Sequence, residues 1–165
     1  MAETTLGGNP VNTTGELPAV GAPAPDFTVT AADMSDITKD SLAGSKVVLN
    51  IFPSIDTAVC ATSVRTFNER AGGLGGTVVV CVSADLPFAL GRFCGAEGIT
   101  NVLTGSTFRS SFGEDYGVTM VDGRLAGLLA RAVVVIDESG TVVHRELVPS
   151  IGQEPDYDAA LSAAS

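Results

Sequence analysis

Two apolar runs with a helical stripe between them limit most of what this chain can fold into. Val47–Phe52 reads VVLNIF, and Thr77–Ser83 reads TVVVCVS. Runs this short and rich in β-branched residues are buried strands. Between them Cys60, Val64, Phe67 and Ala71 recur at spacings of 4, 3 and 4 residues, which is one face of a helix. Arg65, Asn68 and Glu69 fall elsewhere on it. The glycines of GGLGG (72–76) stop the helix before the second strand.

The flanking segments extend this strand–helix–strand unit. TTLGGNPVNTT (4–14) reads as a hairpin around GGNP, and the proline-rich stretch Leu17–Phe27 as an extended surface loop. A short strand is expected over Phe27–Thr30. Asp85 is placed to cap a second helix, with Pro87 in its first turn, an apolar row of Leu86, Leu90 and Phe93, and Gly95 at its end. An irregular insert over 99–129 holds a short strand near Asn101–Leu103 and a helical turn near Phe108–Tyr116. Arg131–Val148 is a hairpin around DESG, and Glu154–Ala164 a helix with Pro155 at its first position. A βαβ half followed by a ββα half gives a thioredoxin-like α/β fold, a mixed sheet with helices on both faces. Residues 1–165 are expected to form one domain, with 1–16 as an N-terminal hairpin extension.

Charge narrows the function. Nineteen acidic residues against 9 basic ones give a formal charge of -10. That balance repels phosphate backbones and anionic lipid, so neither nucleic acid nor membrane is expected as a partner. No apolar run approaches the roughly 20 residues of a membrane helix. The start, MAETTLGGNP, has no basic or apolar leader character, so the cytosol is the expected location. Thiols stay reduced there, and a disulfide is more often catalytic than structural. Three cysteines are too few for a disulfide scaffold. One histidine and three scattered cysteines give no metal-ligand spacing, so neither metal nor cofactor is expected. GGLGG ends a helix and precedes a strand, the reverse of a dinucleotide-binding context.

Cys60 falls where a strand passes into a helix. Unpaired N–H groups and the positive dipole end at such a position stabilise an anion. The thiolate is the reactive form of cysteine. Thr57 lies three residues earlier on the same side of the turn and can direct its hydroxyl toward the sulfur. Pro53 stiffens the loop and can wall it from water. Cys94 lies 34 residues further on, so the pair is no C-x-x-C. It sits in the last turn of its helix, where Gly95 and Gly98 restrain the chain little. Cys81, inside VVVCV, reads as a packed strand residue. His144, in the alternating VVHREL, is expected at the solvent or the sheet edge.

PSIDTAVC matches the P-x-x-x-T-x-x-C signature of peroxiredoxins. GAPAPDF, NIFPSIDTAVCATSVRTFN, SADLPFALGRFCGAEG, FGEDYGV and GLLARAVVVID resemble, in that order, the thiol peroxidase branch, the atypical two-cysteine peroxiredoxins. The likeness spans nearly the whole chain and departs at Ala58, a position that varies in the family.

The resemblance implies catalytic roles for five residues. Cys60 would be the peroxidatic cysteine, oxidised to a sulfenic acid, and Cys94 the resolving cysteine of an intramolecular disulfide. Thr57 would bond sulfur and peroxide, Pro53 would shield the sulfenate, and Arg131 would favour the thiolate and bind peroxide. The implied substrates are hydrogen peroxide and alkyl hydroperoxides. Thioredoxin is the implied reductant and a homodimer the implied assembly. A thioredoxin-like disulfide oxidoreductase and a non-catalytic peroxide sensor are the alternatives.

Overall fold

The computed structural model describes residues 1–71 and 73–165. Gly72, inside the predicted GGLGG stop, lies outside the described residues. A hairpin of β1 (Glu3–Leu6) and β2 (Asn9–Asn12) opens the chain and forms its own sheet. The main body runs β3 (Thr28–Thr30), β4 (Asp36–Thr38), β5 (Lys46–Ile51), α1 (Ala58–Ala71), β6 (Thr77–Ser83), α2 (Pro87–Glu97) and β7 (Leu103–Ser106). It continues with α3 (Phe112–Asp115), β8 (Ala132–Ile136), β9 (Val142–Leu147) and α4 (Tyr157–Ala163). Seven strands make one sheet in the order β4-β3-β7-β6-β5-β8-β9. β5, β6 and β7 are parallel neighbours, and the other pairs are antiparallel.

The two-residue period of the strands divides the core between the two faces. Val47, Leu49, Ile51, Val80, Val82 and Val134 pack on one face with Phe27, Phe112 and Tyr116. Val48, Val79, Cys81, Val133 and Val135 face the other. There they meet Cys60, Val64 and Phe67 of α1, Leu90 of α2 and Leu161 of α4. The stripe read from the sequence is thus the buried face of α1. Phe67 alone, fully buried and edge-on to Tyr157, contributes about 1.5–3 kcal/mol. The fold is the mixed, helix-flanked sheet of a thioredoxin-like protein, with the expected N-terminal hairpin.

That hairpin is tied to the far end of the chain. Thr5 N–H donates to Pro149 O (3.0 Å), and Ile151 N–H donates to Thr5 O (2.8 Å). The Thr4 hydroxyl donates to Val148 O (2.8 Å). Val11 of β2 packs with Met120, Ala130 and Ile151 in a small core of its own.

Local sequence signals misplace several boundaries. Asp85 does not cap α2: Leu86 holds the N-cap position without a side-chain bond, and the Asp85 carboxylate turns to another loop. Gly95 does not end α2 either, because one glycine costs a helix only about 1 kcal/mol. The stop is Gly98, in the left-handed conformation at φ 66°. α4 starts at Tyr157 rather than near Pro155, since the Asp156 carboxylate accepts from Ala159 N–H (3.0 Å) and makes a better cap. The insert strand is Leu103–Ser106, two residues later than expected at its start, and β4 carried no readable signal. His144 lies on the edge strand β9 but is half-buried, with Nε2 enclosed and without a partner among the described residues.

Gly117 follows α3 at φ 69°, and a Cβ there would strike the backbone of Glu16. Both the left-handed backbone and the contact exclude a side chain. Gly117→Ala is expected to lower unfolding free energy by about 2–4 kcal/mol. Chemical denaturation checks this, and an unchanged midpoint would contradict the packing described.

Candidate active site

Phe52 leaves β5 but still donates its N–H to Val82 O (3.1 Å). Pro53, buried, then breaks the strand, since proline has no N–H for a ladder. The loop turns at Ser54–Thr57. Thr57 N–H and hydroxyl both donate to Ser54 O, at 3.2 and 2.9 Å. α1 begins at Ala58, and Ala61 N–H closes its first hydrogen bond on Thr57 O (3.0 Å). Cys60 is therefore the third residue of the helix, within the turn whose N–H groups lack helical acceptors.

The Cys60 side chain is fully buried, and Arg131 Nη2 lies 3.3 Å from its Sγ. Arg131 immediately precedes β8 and is 2 % exposed. Its Nε donates to Ile151 O (2.9 Å), and Nη1 has no partner among the described residues. No described carboxylate lies within ion-pair distance of this guanidinium. A buried cation without a counter-ion is costly, and negative charge on the neighbouring sulfur offsets that cost. The helix start adds positive potential from a second direction. The arrangement can hold a sulfur anion dry and leaves one guanidinium nitrogen for a reactant oxygen.

A polar chain runs under Cys60. The Ser63 hydroxyl donates to Cys60 O (2.7 Å), and Asn50 Nδ2 donates to Ser63 Oγ (3.1 Å). The sequence marks Asn50 only as the one polar residue inside VVLNIF. Ser54 and Ile151 carry no signal in the sequence and Asp85 only that of a helix cap, because Ser54 and Asp85 bond each other across 31 residues and Ile151 bonds Arg131 across 20.

Thr57 is brought to the same loop, with its hydroxyl on Ser54 O in this state. Cys94 lies on α2, half-buried, and all three cysteines are free thiols. It helps line a shallow groove with Ala31, Ala32, Ile99, Val102 and Thr104. Burial pushes the Cys94 thiol above its ordinary value, and a hydrogen bond with Thr104 works against this. Cys81 is fully buried beside Asn50 Nδ2 (3.7 Å), and burial pushes its thiol up to about 12. Among the described residues no three His, Cys, Asp or Glu side chains group as metal ligands, and no helix is long and apolar enough to cross a membrane.

Comparison with known proteins agrees with this geometry. Residues 19–161 match the Redoxin family. The chain is 64 % identical to a thiol peroxidase of Mycobacterium bovis, covering 99 % of this chain and 98 % of that one. It is 55 % identical to a thiol peroxidase of Corynebacterium glutamicum, covering 99 % of each. A solved structure, a peroxiredoxin-like protein from Aquifex aeolicus, superposes with a TM-score of 0.95 at 40 % identity, covering 99 % of this chain and 96 % of that one. The chain belongs to the Redoxin family and, within it, to the thiol peroxidase branch of the peroxiredoxins.

The three thiols differ enough to be told apart chemically. Cys81 stays neutral and enclosed at pH 8, so iodoacetamide should leave it unlabelled in the folded reduced chain while Cys94 reacts. Its raised value also means that the unfolded chain ionises first. The Cys81 contribution to stability is therefore full below about 9 and is lost as pH rises toward about 12. Mass spectrometry of labelled peptides checks the first point. Labelling of Cys81 at the Cys94 rate would contradict the burial.

Proposed function

We propose that the chain reduces hydrogen peroxide and alkyl hydroperoxides to water and alcohols, with Cys60 as the peroxidatic thiol and Cys94 as the resolving one. The observation that carries this reading is Arg131 Nη2 at 3.3 Å from Cys60 Sγ, with no carboxylate within ion-pair distance among the described residues. The Cys60 thiolate attacks one peroxide oxygen. An S–O bond forms, the O–O bond breaks, and the leaving oxygen takes a proton as water or alcohol. The peroxide is held by Arg131 Nη1 and by the Thr57 hydroxyl, turned from Ser54 O. Pro53 keeps bulk water from the sulfenic acid.

The Cys94 thiolate then attacks the Cys60 sulfenic sulfur. The S–S bond forms, and the S–O bond breaks with loss of water. A thioredoxin dithiol reopens the disulfide by exchange, in the cytosol, with no metal, haem or flavin. Leu86 and Phe88 are exposed apolar side chains next to Asp85, and they support a homodimer built near this face.

The test is one equivalent of hydrogen peroxide added to the reduced chain in a stopped-flow mixer, with disulfides mapped afterwards. A Cys60–Cys94 bond is expected in the wild type, a trapped sulfenic acid in Cys94→Ser, and no reaction in Cys60→Ser. Arg131→Lys should slow the peroxide step about 10²-fold, because an ammonium cannot reach both sulfur and Ile151 O in the guanidinium geometry. Sedimentation of the same samples reports the dimer. Insulin reduction without peroxide would favour the disulfide oxidoreductase instead. Oxidation without turnover by thioredoxin would favour the sensor.

A further inference from the structure

We propose that Asp85 is a latch between the Cys60 loop and the Cys94 helix, and that its release governs when the disulfide can close. Asp85 lies between the end of β6 at Ser83 and the start of α2 at Pro87. Its carboxylate is directed away from its own helix. Oδ1 accepts from the Ser54 hydroxyl (2.7 Å), and Oδ2 from Ile55 N–H (2.8 Å) and the Ser83 hydroxyl (2.6 Å). Its carbonyl accepts from the Ser106 hydroxyl, which fixes it to β7 as well. Ser54 and Ile55 belong to the loop that delivers Cys60, and Asp85 adjoins the helix that carries Cys94. One part-buried residue therefore holds both redox elements to the sheet.

The other polar ties between these elements are weaker. Asp56 pairs with Arg92 (3.2 Å) and Arg65 with Glu97, but both pairs are open to solvent. Such pairs contribute about 0–1 kcal/mol. Bonds from a carboxylate to a buried N–H and two hydroxyls are roughly twice as strong as neutral ones. Asp85 is thus the strongest of the polar contacts that hold the Cys60 loop in its present place.

The consequence rests on the proposed roles of Cys60 and Cys94. A disulfide needs its Cα atoms within about 7 Å. The Cys94 thiolate must reach the Cys60 sulfenic sulfur, form S–S and expel the oxygen as water. Moving the Cys60 loop toward Cys94 pulls Ser54 and Ile55 off Asp85. The latch therefore stabilises the dithiol chain over the disulfide chain. It makes the pair a better oxidant, and it holds the sulfenic acid in the folded site longer, where a second peroxide can oxidise it to the sulfinic acid.

The measurement is the equilibrium of the Cys60–Cys94 pair with dithiothreitol, for the full chain and for Asp85→Asn and Ser54→Ala. Asparagine keeps the shape but offers one acceptor oxygen where three donors converge. Asp85→Asn should shift the equilibrium about tenfold toward the disulfide, which is about 30 mV more negative. Ser54→Ala should shift it the same way by less, and it decides the matter if Asp85→Asn fails to fold. Both variants should form less sulfinic Cys60 per turnover in excess peroxide. Lower melting temperatures with an unmoved equilibrium would overturn the latch, because a merely structural role weakens both redox states alike. A wild-type chain that never forms the Cys60–Cys94 bond would overturn the functional reading itself, a separate and distinguishable outcome.

Discussion

Arg131 is 2 % exposed, and none of the described carboxylates pairs with it. Uncompensated, such a charge would cost several kcal/mol. Its compensation comes from Ile151 O on one side and Cys60 Sγ on the other. The sheet makes this possible by setting Arg131 at the start of β8, next to β5, whose following loop returns Cys60 over the same face. The Cys60 sulfur is thus one of the two groups that satisfy the buried cation.

The same contact explains why the N-terminal hairpin is more than an appendage. Ile151 accepts from Arg131 through its carbonyl and donates its N–H to Thr5 of β1. The hairpin thus holds the backbone that holds the arginine. An extension that looks peripheral in the fold is three hydrogen bonds from the Cys60 sulfur. On the other flank, Ser54 and Ile55 brace the Cys60 loop against Asp85, so the site is supported from two sides.

Much of this was legible in the sequence, and the rest was hidden for a physical reason. The period-two strands, the α1 stripe and the placement of Cys60 at a helix start depend on neighbours a few residues apart, which spacing reports well. Asp85 shows where that fails. By local rules it caps the helix it precedes, yet two of its three donors lie 30 and 31 residues away. Arg131 likewise reads as a solvated strand-end charge until the topology brings Cys60 and Ile151 around it. Only the family resemblance pointed to it beforehand. Thr57 lies in the expected loop, and its hydroxyl rests on Ser54 O in this state. Gly95 was misread because a single glycine seldom ends a helix that the left-handed Gly98 can end better.

The central claim is that Cys60 and Arg131 are a coupled pair, and a double-mutant cycle on folding stability tests it most directly. Unfolding is measured at pH 7 for the wild type, Cys60→Ser, Arg131→Met and the double variant. Cys60→Ser removes the sulfur that the buried guanidinium contacts, so it should lose about 1–3 kcal/mol. Replacing Arg131 with an apolar side chain as well should recover much of that loss, giving a coupling energy above about 1 kcal/mol. If the two changes simply add, the contact between the sulfur and the guanidinium carries no energy, and the account of this site is wrong.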